Sequence, residues 1–120
     1  MKCAREVMEK WELVTNVRYT KELAELVETI TEQLYAQASA GQNSLPMVSL
    51  EAYPVKCGRF GAIEFIVGTS KETKTCLVFQ EDFLTAMEAL CYRVERTSCC
   101  RIFGSGETYY KFDISPNPSC

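Results

Sequence analysis

The spacing of apolar side chains changes period between the first forty residues of this chain and the segment after Pro46, and that change sets the fold class. From 21 to 38, Leu23, Leu26, Val27, Ile30, Leu34 and Ala38 recur every three or four positions, with Glu22, Glu25, Glu28, Glu32 and Gln33 largely off that line. This is one face of an α-helix. From 47 to 53, Val48, Leu50 and Ala52 alternate with Ser49 and Glu51, the period of a half-buried strand. Gly41 and Pro46 separate the two patterns: glycine ends a helix without a Cβ clash, and proline removes a backbone donor. A chain carrying both periods has to pack helices on a sheet, because neither layer hides its apolar side alone.

The remaining segments fill in an α+β plan. Ala4, Val7, Met8, Trp11 and Val14 predict an earlier helix over 3–14, with Thr15-Asn16 as a connection and Thr20 as N-cap of the second helix. Residues 59–67 and 74–79 read as an antiparallel hairpin across the polar reversal Gly68-Thr69-Ser70-Lys71-Glu72. Phe83, Leu84, Met87, Leu90, Cys91 and Val94 predict a third helix over 81–94. Strands over 98–103 and 107–114 then flank Gly104-Ser105-Gly106. The expected architecture is two N-terminal helices, an antiparallel sheet of four to five strands, and one further helix between strand pairs. Residues 1–114 form one domain on this reading, and 115–120, with Pro116 and Pro118, form a flexible C-terminal tail.

Composition narrows the functional classes. With 47% hydrophobic and 24% charged residues, the chain can close a core without a metal or a disulfide. Its net charge of -3 offers no broad phosphate-binding surface. No apolar run approaches the ~20 residues of a membrane span, and the charged N-terminus MKCAREVMEKWEL lacks an apolar signal core. A cytoplasmic or otherwise intracellular location is expected, with no membrane partner and with the seven cysteines mostly as free thiols.

Chemistry is sparse. The chain has no histidine, so a Ser-His-Asp or Cys-His site cannot be assembled from it. There is no Cys-x-x-Cys pair, and Cys99 and Cys100, adjacent on a strand, point to opposite faces. Cys76 and Cys91 read as core fillers, and Cys57, beside Gly58 and Arg59, as a thiol near a turn. Gly58-Arg59-Phe60-Gly61 and Gly104-Ser105-Gly106 lack the Lys-Ser/Thr of a phosphate loop. No catalytic residue, metal ligand or cofactor is expected, and the chain is read as not an enzyme.

Protein association is the leading expectation. Tyr53, Phe60 and Tyr109, with Lys111, are placed at polar strand or turn positions, where exposed aromatics serve as interface anchors. Unpaired strand edges would also favour self-association. The alternative is single-stranded nucleic-acid binding through sheet-side aromatics and Lys56, Arg59, Lys74, Arg96 and Arg101. The segment from Gly58-Arg59-Phe60 through Leu90 resembles a repeat of the Pur family of single-stranded nucleic-acid binders, which implies the same. The run from Glu95 through Cys100, Gly104 and Phe112 resembles the end of small-ligand domains related to trafficking-complex subunits, which implies a small-ligand-binding domain as a further alternative. The two resemblances point to different families, so neither assigns one, and no residue role is carried over.

Overall fold

The computed structural model describes residues 1–55, 60–68, 72–100 and 108–120. Helix α1 spans Ala4–Ser39, and strands β1 (Val48–Pro54), β2 (Ala62–Gly68) and β3 (Thr73–Phe79) follow. Helix α2 (Gln80–Ala89) leads to β4 (Tyr92–Cys100) and β5 (Thr108–Pro116). The strands form one antiparallel sheet in the order β3-β2-β1-β5-β4. The α+β plan with an antiparallel sheet, flanking helices and one helix between groups of strands is the observed architecture.

The two N-terminal helices expected from the sequence are one. No glycine or proline interrupts residues 4–39, and the residues read as a break are absorbed into the helix. Thr15 Oγ1 donates to the carbonyl of Trp11 at 2.8 Å, and Thr20 Oγ1 to that of Asn16 at 2.9 Å. Both hydroxyls bond back one turn, so Thr20 is not a cap. At 3.6 residues per turn, the line through Ala4, Val7, Trp11 and Val14 is rotated by roughly 100° from the line through Tyr19, Leu26, Ile30 and Leu34. A straight helix cannot turn both lines to one sheet. The second line is buried, while every side chain from Met1 to Val14 is exposed.

At the far end of α1, Gly41 takes φ +67°, as its place after the helix requires. Gln37 then fixes the way into β1. Its Nε2 donates to the Met47 carbonyl at 3.0 Å, and the Met47 N–H donates to its Oε1 at 2.9 Å.

Both helices pack on one face of the sheet. Leu26, Ile30 and Leu34 from α1 and Phe83 and Met87 from α2 meet Val48, Leu50, Ala52, Ile63, Phe65, Val67, Cys76, Val78, Phe112 and Ile114. The ring of Phe65 lies 4.6 Å from that of Phe83 and 5.0 Å from that of Phe112, centroid to centroid. All three rings are fully buried.

Helix α2 stops at Ala89 rather than continuing to residue 94. Cys91 adopts φ +65°, a conformation that terminates helices, and Tyr92 begins β4. Leu90 and Val94, read as helix face, are instead an exposed turn residue and a strand residue. Cys91 is also not a core filler: it is exposed and disulfide-bonded to Cys120 across a Cα–Cα distance of 5.6 Å, within the range such a bond requires. The Asn117 N–H donates to the Cys91 carbonyl at 2.9 Å. The segment read as a tail is thus joined to the start of β4, and β5 itself runs on to Pro116. Sequence spacing gave no sign of this pairing, since the two cysteines lie 29 positions apart. Cys76 does fill the core, at 2% exposure.

Candidate interaction surfaces

With both helices on one side, the opposite face of the sheet carries the outward residue of each strand. Register aligns these residues in rows. Leu77 on β3 pairs with Glu64 on β2, and Glu64 with Tyr53 on β1. The Tyr53 ring stacks on Tyr109 of β5, with centroids 5.6 Å apart and planes 27° apart, and Tyr109 pairs with Cys99 of β4. This row crosses all five strands. The neighbouring row runs Thr75, Ile66, Glu51, Lys111, Thr97. Tyr53 Oη donates to Glu51 Oε2 at 3.1 Å, which fixes the phenol against the second row. Leu77, Ile66, Tyr53 and Tyr109 are all half-buried, so each leaves apolar surface to solvent.

The charges on this face are mixed, with an acidic excess. Glu51, Glu64, Glu95 and Asp113 stand against Lys111 and Arg93 among the described residues. Ser49 Oγ donates to Asp113 Oδ1 at 2.5 Å. The Cys99 side chain, followed by partial burial, raises the Tyr109 phenol above its ordinary ionisation range. Tyr109 is therefore a neutral hydroxyl at physiological pH.

Of the residues expected to carry association, Tyr53, Tyr109 and Lys111 come together on this face. Phe60 does not join them. It is fully exposed at the turn before β2, on the rim of a cleft of about 960 Å³ shared with Leu84, Glu81, Asp82, Arg96 and Tyr110. Leu77 and Glu64, which extend the tyrosine row, and Ile66, which lies beside it, could not be placed there without the strand register.

The residues of the nucleic-acid alternative do not converge among the described residues. Lys74 on β3 forms an ion pair with Glu25 of α1 at 3.0 Å. Arg96 on β4 sits at the opposite edge of the sheet, its guanidinium carbon 5.0 Å from the centre of the Tyr110 ring. Lys56, Arg59 and Arg101, like Cys57 and the Gly104-Ser105-Gly106 turn, lie outside the described residues.

A second apolar surface runs along the exposed first turns of α1. Val7, Met8, Leu13, Val14 and Val17 are each more than half exposed. No helix among the described residues is long and apolar enough to cross a membrane. No known protein family, curated protein or solved structure matches the chain.

Proposed function

We propose that this chain is a non-catalytic interaction or regulatory protein that self-associates and receives a protein partner on the open face of its sheet. The single observation that carries the reading is the row Leu77, Tyr53, Tyr109, with Ile66 beside it, on the face that neither helix covers. Rigid tyrosine rings in polar surroundings supply large contact area with little loss of side-chain freedom. The acidic excess around them favours a partner presenting Lys or Arg among apolar groups. It disfavours a phosphate backbone, whose affinity depends on neutralising cations. The absence of histidine supports a non-catalytic role, because the commonest proton carrier near neutral pH is missing.

Quantitative affinity capture tests the reading. The tagged wild-type chain is compared with a Tyr53→Asp/Tyr109→Asp variant of the same thermal stability. The reading requires proteins that the wild type retains and the variant loses. Identical retained sets would overturn the open face as the binding surface.

A further inference from the structure

Strand β4 ends the sheet order, and the charges along it are self-complementary. Tyr92, Val94 and Arg96 point to the helix-covered face, and Arg93, Glu95 and Thr97 to the open face, as their cross-strand partners on β5 show. Arg93, Glu95, Arg96 and Thr97 are exposed. Among the described residues, neither Arg93 nor Glu95 forms an ion pair within the chain. Glu95 is in fact paired across the ladder with Asp113, a like charge, which is an unfavourable arrangement. A cation on the free side of Glu95 would relieve it.

We propose that a second copy of this chain supplies that cation, by antiparallel pairing of β4 with its counterpart about a two-fold axis through Val94. The proposal rests on the self-association in the reading above and names the edge and register through which it occurs. A two-fold axis normal to the sheet keeps open face with open face, so partners must share a face. Nine registers, one centred on each residue of the strand, satisfy this. Centring on Arg93 or Arg96 sets that arginine against itself, and centring on Glu95 sets two carboxylates together. Centring on Val94 places Arg93 opposite the Glu95 of the second copy, twice, and Tyr92 opposite its Arg96, twice. It is the only one of the nine that makes opposite-charge pairs and no like-charge pair between residues of β4, and such pairs decide register in an antiparallel ladder. The pairing also fills the row of backbone donors and acceptors that an edge strand leaves open. The product is a continuous ten-stranded sheet. Its two Tyr53–Tyr109 patches lie on the same side, which makes the dimer a bivalent platform for the proposed partner.

Sedimentation velocity on the full chain tests this with three variants and one mixture. The wild type is expected to dimerise. Arg93→Glu alone and Glu95→Arg alone each create two like-charge pairs and should raise the dimer Kd by about tenfold or more. The double exchange restores both pairs and should return Kd to within about threefold of wild type. Mixing the two single variants should yield a heterodimer, since the two carboxylates of one copy then face the two guanidinium groups of the other. The mixture keeps the test decisive if the double variant does not fold. A wild type that stays monomeric overturns the pairing, while capture by the open face would be judged separately on Tyr53 and Tyr109. A wild type that dimerises with unchanged affinity in both single variants overturns this edge and leaves self-association standing.

Discussion

Tyr53 on β1 and Tyr109 on β5 stack across the ladder with ring centroids 5.6 Å apart, on the side of the sheet that carries no helix. Their contact ties two neighbouring strands together where core packing cannot. Replacing Tyr109 with Ser should cost about 0.5–1.5 kcal/mol for the lost ring pair, plus the area the half-buried ring covers, in chemical denaturation. The same change should abolish partner retention. A loss of several kcal/mol would mean that the ring belongs to the core and not to a surface.

Stability resides on the other face. Phe112→Ala empties the centre of the Phe65–Phe83–Phe112 cluster and should cost about 3–5 kcal/mol. Leu26→Ala on α1 should cost about 2–5 kcal/mol. Val14→Ala, on the exposed first turns of the same helix, should stay within about 0.5 kcal/mol. Urea denaturation of the three variants checks the ranking. Equal losses at Leu26 and Val14 would mean that the first turns of α1 are covered.

The disulfide joins residues 29 positions apart. Closing a loop of that size restricts the unfolded chain, and Cys120→Ser should lower stability by about 2–4 kcal/mol under oxidising conditions. Hydrogen exchange should quicken first around residues 115–120 and the start of β4. Under reducing conditions the pair opens to two thiols, and wild type and variant should then melt alike.

The thiols should differ sharply in reactivity. Burial, the largest influence, pushes the Cys76 thiol above its ordinary range, and only the thiolate reacts with alkylating agents. Cys3 is exposed. Iodoacetamide should label Cys3 in the folded protein and Cys76 only after unfolding, as peptide mass mapping would show. Rapid native labelling of Cys76 would contradict its place against α1 and α2.

The Glu25–Lys74 pair makes a pH-dependent contribution with a fixed sign. Lys74, first by its hydrogen bond and then by its charge, holds the Glu25 carboxyl below the ordinary 4.5. Glu25 in turn holds the Lys74 ammonium above 10.5. The carboxylate contribution is complete above pH 4.5 and is lost as pH falls through the lowered value. The ammonium contribution is complete below pH 10.5 and is lost as pH rises through the raised value. Glu25→Gln should remove this pair's share of both slopes from the melting profile and leave a small, even loss between them, because the pair is solvent-screened. An unchanged acid limb would show that the pair is not formed in solution.

Much of this fold is written in side-chain spacing. Leu26, Ile30 and Leu34 repeat at the helical period, Val48, Leu50 and Ala52 at the strand period, and all six are buried. Phe112 and Ile114 likewise share the covered face of β5. Where the fold departs from side-chain spacing, local bonding decides. Thr15 and Thr20 look like a break in isolation, but their hydroxyls find carbonyls one turn back and the helix continues. Leu90, Cys91 and Val94 continue the spacing of Phe83 and Met87, yet a positive φ at Cys91 reverses the chain first. That reversal turns Arg93 from a helix residue into an edge residue and puts Glu95, just past the expected helix, on the same strand, which is why the sequence alone does not display their complementarity. Tyr53 and Tyr109 were legible as exposed candidates, whereas their stacking needs the pairing of β1 with β5, a contact between segments far apart in sequence.

Oxidative footprinting of Tyr53 and Tyr109 reads occupancy of the open face. In the isolated chain both rings should be modified readily by hydroxyl radicals. In a complex with a captured partner, verified by mass, both should become protected while exposed Phe60 stays reactive. A complex that forms with Tyr53 and Tyr109 oxidised at their free rates would show that the partner binds elsewhere than the open face.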